Sequence, residues 1–198
     1  MQSMQLKTRI ENFGHVIATT HCSDSKGHAL EIEQGMSLAM QWLQESLKKR
    51  ASIYIIGNGG SAAVASHAQI DFLNVANLRA KVLHEPSVIT CMANDYGYEN
   101  AYTQLLEIML NPGDLLIAIS SSGKSKNICQ AVEKTKACDA IVITLSGFKT
   151  DNPLRQLGDL NYWLDSKDYG FVEVGHQFIL HNLSDRFMFA KNGTCSQL

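Results

Sequence analysis

Residues 52–72 read SIYIIGNGGSAAVASHAQIDF. The apolar run SIYII stops at Gly57, glycines follow, and an alanine-rich stretch of helix formers then runs on toward Val75. That order predicts a β-strand, a glycine loop and a helix. The unit recurs downstream. DLLIAI (114–119) runs into SSSGKS (120–125), and NICQAVEKTKA (127–137) follows with Ile128, Val132 and Thr135 on one helical face. AIVITL (140–145) and LNYWL (160–164) read as two more strands and AKVLHE (80–85) as a weaker one, with Ser87 after Pro86 placed to cap a short helix toward Asn94. Phe171 to Ala190 reads as one long helix.

Working outward, residues 3–49 read as two helices broken at the polar run CSDSKG (22–27), the second carrying Ile32, Met36, Ala39, Met40, Leu43 and Leu47 at helical spacing. Strands alternating with helices through short loops predict an α/β fold. Its form is three layers, a doubly wound, flavodoxin-like sheet of about five parallel strands, with ligands at the carboxyl ends of the strands. The 198 residues are expected to form one domain, a helical pair over 1–50 and an α/β core with its C-terminal helix over 51–198.

Composition narrows the function. The chain is 45% hydrophobic and 18% charged with a net charge of −2, which speaks against disorder and against a nucleic-acid footprint. Charged residues fall below the roughly 25% usual for soluble domains, so a homo-oligomer that covers part of each subunit is expected. Five cysteines, Cys22, Cys91, Cys129, Cys138 and Cys195, contain no CxxC pair, so zinc-finger and thioredoxin readings lose their spacing. They are expected to be buried small hydrophobes. No segment has the length of apolar sequence that spans a bilayer and the N-terminus lacks a basic-then-apolar leader, which predicts a cytoplasmic setting with no membrane partner. Trp42 and Trp163 are read as packing residues, and KKR (48–50) as a helix C-terminus matched to its dipole.

Two loops carry phosphate-type chemistry. GNGGS (57–61) offers backbone N–H groups at a helix N-terminus, but fits neither GxGxxG nor the P-loop spacing. Its plainer reading is a tight turn with Ser61 as N-cap. SSSGKS supplies hydroxyls from Ser120, Ser121, Ser122 and Ser125 around one glycine, and its plainer reading is helix capping by Ser125. Beyond the loops, His67 and Asp71 lie four apart on one helix face, within reach of one metal ion or substrate, although such a pair is commonly a surface hydrogen bond. Glu173 and His181 lie eight apart on the last helix, a rise of about 12 Å. They can share a metal only if it lies midway or if different subunits contribute them.

The run GNGGSAAVASHAQIDF, the segment ANDYGYEN (93–100), the loop AISSSGKS and the helix VEVGHQFILH (172–181) together resemble the sugar isomerase (SIS) domain family, and within it the phosphoheptose isomerases. The resemblance covers nearly the whole chain in the same order. It implies a zinc-dependent homotetramer that interconverts sedoheptulose 7-phosphate and D-glycero-D-manno-heptose 7-phosphate for lipopolysaccharide or capsule, with the N-terminal helices used in assembly. It implies phosphate and sugar contacts from Asn58, Gly59, Gly60, Ser61, Ser120, Ser121, Ser122 and Ser125, and sugar contacts from Asn94 and Asp95. The implied zinc ligands are His67, Asp71, Glu173 and His181. Asp71 and His181 double as the acid/base pair, and Asp71 and Glu173 also face the substrate. The family usually carries glutamate at the position of Asp71 and glutamine at that of Glu173, which leaves open another phosphosugar as substrate. Two non-enzymatic readings stand beside this one, an adapter of the replication-initiator-associating type on the same fold and a sugar-phosphate sensor.

Overall fold

The computed structural model describes residues 4–192. The N-terminal region holds α1 (Leu6–Ala18), β1 (His21–Asp24), β2 (Ala29–Leu30) and α2 (Ile32–Lys49). The core follows with β3 (Ser52–Ile56), α3 (Gly60–Asn74), β4 (Arg79–Val82), α4 (Pro86–Tyr96), α5 (Ala101–Met109), β5 (Leu115–Ser120), α6 (Lys126–Lys136), β6 (Ile141–Gly147), β7 (Leu160–Leu164) and α7 (Tyr169–Asn192). A short 3-10 turn, Pro153–Gln156, lies between β6 and β7.

One sheet runs β2-β1-β7-β6-β5-β3-β4. Its last five strands are mutually parallel, as their crossover helices require. Period-two alternation divides the core into two layers. Ile53, Ile55, Leu115, Ile117 and Ile119 face one side, packed with Leu43 of α2, Phe72 of α3 and Leu183 of α7. Tyr54, Ile56, Leu116 and Ala118 face the other, packed with Tyr102 of α5 and Ile128 of α6. Helices thus cover both faces of the parallel strands, and β3, β5 and β7 are buried end to end, which explains their largely apolar runs, while β4 at the edge is not.

The N-terminal helices are separated by a hairpin, not by a plain polar break. β1 pairs antiparallel with β7, Cys22 opposite Tyr162, and adds two strands to the parallel set. Asp24 builds the turn, its Oδ1 accepting the Lys26 and His28 amides at 2.9 Å each. A four-residue strand with one buried side chain has too little periodicity to announce itself. Two smaller expectations also change. Glu85, not Ser87, caps α4 by accepting the Val88 amide at 3.0 Å, and α5 was not anticipated.

Trp163 is 2% exposed and Trp42 packs against the core, as expected of packing residues. α2 ends at Lys49 with Arg50 as its left-handed C-cap. Cys22 is buried, and burial pushes its thiol up to about 12. Cys91 is exposed, contrary to expectation, because α4 buries none of its residues; Cys129 and Cys138 are partly buried, and Cys195 lies outside the described residues. No helix of the described residues is long and apolar enough to cross a membrane.

Candidate active site

β3 and β5 are hydrogen-bonded neighbours, so the loops at their carboxyl ends open side by side. Between them is a cavity of about 260 Å³ lined by Asn58, Gly59, Gly60, Ser61, Ser120, Ser121, Ser122, Ser125, Tyr169 and Glu173. No basic side chain lines it. Backbone amides at the start of α3 and serine hydroxyls are therefore its anion donors.

Each wall has a local cause. Gly59 is the N-cap of α3 at φ +53, and a Cβ on Gly60 would collide with the Glu173 carboxylate, so the loop is glycine where the backbone turns and where α7 presses on it. Ser61 is therefore the second residue inside α3, buried at 4% exposure, and not its cap. Ser125 occupies the N-cap position of α6 without a capping hydrogen bond; its hydroxyl instead lies 3.1 Å from that of Ser120. Ser121 is 5% exposed and its Oγ has no partner. A buried hydroxyl left unsatisfied at a ligand-sized cavity is one that a bound oxygen would satisfy.

Asn58 is held from two sides. It exchanges amide hydrogen bonds with Asn127 at 2.9 and 3.0 Å, and its Oδ1 also accepts the Tyr98 hydroxyl at 2.7 Å. Asn94 and Asp95, joined by a 2.9 Å hydrogen bond, are exposed on α4 one turn before Tyr98 and do not line the cavity within this chain. Tyr98, Asn127 and Tyr169 are contributors that motif reading missed; Tyr98 alone had a signal, since it lies inside ANDYGYEN.

A second cluster forms where α3 and α7 run alongside each other. Asp71 Oδ2 lies 2.8 Å from His181 Nδ1 and 3.3 Å from His67 Nε2, and the two imidazole rings stand 5.9 Å apart. Asp71 is mostly covered, whereas both histidines are half-exposed. The Asp71 carboxylate, accepting from His181, raises the histidine's pKa above its ordinary value, with Asp185 adding a smaller push in the same direction. Ligand atoms of His67, Asp71 and His181 all fall within 4.8 Å of one another. Two imidazoles and a carboxylate make a donor set suited to zinc, with a position left for substrate. Glu173, expected to join that set, stands instead at the serine cavity, because eight residues of α7 separate it from His181.

The SIS domain profile matches residues 25–147. The phosphoheptose isomerase of Campylobacter concisus is 32% identical over 154 residues, spanning 75% of this chain and 81% of that protein. The chain belongs to the SIS domain family, among the phosphoheptose isomerases. Solved structures agree on the SIS fold. A phosphoheptose isomerase from Neisseria gonorrhoeae superposes with a TM-score of 0.75 at 25% identity, covering 92% of this chain and 98% of that one. One from Francisella tularensis, at 22% identity, shows the same fold with a TM-score of 0.79, covering 92% and 96%. The matched stretch carries the glycine loop, the serine loop, His67 and Asp71, whereas Glu173 and His181 on α7 lie beyond it.

Proposed function

We propose that this chain is an aldose-ketose isomerase that converts sedoheptulose 7-phosphate to D-glycero-D-manno-heptose 7-phosphate, supplying heptose for lipopolysaccharide or capsule. The observation that carries this reading is the pairing of a serine- and amide-lined cavity with an acid/base dyad, Asp71 and His181, on adjoining helices.

In this reading Ser61, Ser120, Ser121, Ser122, Ser125 and the amides of Gly59 and Gly60 hold the phosphate, and Asn58 turns its remaining N–H toward the sugar. Glu173, Asn94 and Asp95 accept from sugar hydroxyls. Isomerisation moves one proton between adjacent carbons and another between their oxygens. With Nδ1 engaged by Asp71 and Asp185 Oδ1 3.8 Å from Nε2, too far for a hydrogen bond, His181 takes the carbon-bound proton at Nε2, while Asp71 steadies the imidazolium that forms and serves the oxygens. Zinc held by His67 and Asp71, with His181 Nε2 kept for the proton, would polarise the carbonyl and stabilise the enediolate charge.

The cavity and the cluster lie at different levels of α7, with about 12 Å of helix between Glu173 and His181. We therefore place each complete site between subunits of a cytoplasmic homotetramer, one chain holding the phosphate and its neighbour contributing the dyad or Glu173. An adapter or sensor would need the cavity but no acid/base pair, and the curated relatives are named as isomerases. Incubating zinc-loaded protein with sedoheptulose 7-phosphate and following the heptose phosphate by NMR tests the reading. Interconversion to an equilibrium mixture is expected; no conversion with or without zinc overturns it.

A further inference from the structure

At the opposite edge of the sheet, the β1–β2 hairpin and the crossover from β6 to β7 enclose a second cavity, about 390 Å³. The isomerase reading does not use it. Its wall carries His21, Ser23, Ser25 and Lys26 from the hairpin, and Thr150 and Arg155 from the crossover, and no carboxylate. Asp24, the acid nearest in sequence, is already engaged: it accepts the Lys26 and His28 amides and pairs with His28 Nδ1 at 3.0 Å.

Arg155 is the fixed point of this cleft. Its guanidinium carbon lies over the Trp163 ring, 4.1 Å from the centroid, and Nη1–H donates to the Thr150 carbonyl at 3.1 Å. A guanidinium has five N–H donors in a planar fork, and among the described residues Arg155 forms no ion pair with an acid. It is thus held in place by stacking while most of its donors remain open. Asp165 is the acid whose charge reaches Arg155, but among the described residues no carboxylate hydrogen-bonds its guanidinium, and preorganised donors of this kind suit a phosphate oxygen fork. The cavity falls within the range of small-molecule sites. The crossover wall continues into the serine loop, since Leu154 N–H donates to the Gly123 carbonyl at 3.1 Å and Arg155 N–H to Asn152 Oδ1 at 3.0 Å.

We infer that this cleft is a second phosphate-binding site, separate from the serine cavity, in which Arg155 and Lys26 grip the phosphate group of a small phosphorylated molecule. Trp163 is its built-in reporter. The sequence has two tryptophans, so Trp42→Phe leaves Trp163 alone, and adding Ser121→Ala and Ser125→Ala weakens the competing serine cavity. In that full-length background, titration with inorganic phosphate and with glucose 6-phosphate should each give a saturable change in Trp163 emission. The affinity should fall about tenfold or more in Arg155→Gln and, independently, in Lys26→Gln. Lys26 is exposed on the hairpin turn, so its variant keeps the fold even if loss of the Arg155 stack disturbs Trp163. Tighter binding of the sugar phosphate than of inorganic phosphate assigns the cleft to a phosphate ester; equal affinities assign it to the free anion. No saturable change at millimolar concentrations of either probe, or unaltered affinity in both variants, overturns the proposal.

Discussion

Asp71 holds His181 Nδ1, and this contact orients the ring and is the largest cause of the raised pKa of the proposed base. Asp71→Asn should therefore bring the His181 titration back toward the ordinary histidine range, read by NMR of the imidazole; an unmoved titration would contradict the coupling. The sign for stability follows. With its folded pKa raised, charged His181 adds stability that is complete below the unfolded value of 6.5 and fades as pH climbs through the higher folded one. Because the His181 side chain is half-exposed, that contribution is under about 1 kcal/mol. His181→Gln should lower turnover roughly 10²- to 10⁴-fold while sugar-phosphate binding stays within a few-fold, since only proton transfer is removed; wild-type turnover would refute the role. Two glycines separate strain from collision. Gly59→Ala meets open space but a backbone at φ +53 and ψ −121 that residues with a Cβ scarcely adopt, which costs about 1–3 kcal/mol in urea unfolding. Gly123→Ala, at φ +64, also drives its Cβ into the Asn152 amide and should lose roughly 2–4 kcal/mol. Glycine and serine positions were legible because they adjoin strand ends in one contiguous run. Asn127 and Tyr169 were not, since the bond from Asn127 to Asn58 spans 69 residues and no local pattern records it.

α7 carries three differently placed polar residues along one face-to-core gradient. Glu173 meets the serine cavity, His181 meets Asp71, and between them His176 is fully buried with Nε2 3.1 Å from the Ser146 carbonyl. Burial holds its pKa down to about 4. The unfolded chain takes up that proton near 6.5 and the native chain only near 4, so stability is complete above 6.5 and is lost as pH falls through this window, by on the order of 3 kcal/mol. Urea midpoints should drop across that interval, and His176→Phe should flatten the drop; an unchanged slope in the variant would assign acid sensitivity elsewhere. The strands β3 and β7 match the runs SIYII and LNYWL residue for residue because buried parallel strands read as unbroken apolar sequence. The hairpin escaped because three of the four residues of β1 are polar and its register is imposed by β7, a partner far along the chain.

Across the whole molecule, the low charge and the exposed apolar side chains tell one story. Leu6 and Ile10 on α1, Ile70 on α3 and Phe178 on α7 are each more than half exposed, although the parallel core needs none of them. Such surface is what assembly covers. Phe178→Asp should shift the mass measured by light scattering toward smaller species and reduce turnover in parallel, if sites are completed between subunits. Retained mass would remove this face from the interface. The proposed assembly was legible as a shortage of charge and through the family resemblance, but no motif encodes which faces would meet. The pairing of β1 with β7 has a further consequence, on the ribosome. Asn161 Nδ2 donates to the Ser23 carbonyl across 138 residues, so the hairpin emerges long before the strand that receives it. At about 5–20 residues per second it waits some 7–28 s with its edge unpaired, and the chain becomes safe from premature strand pairing only when its last quarter is made.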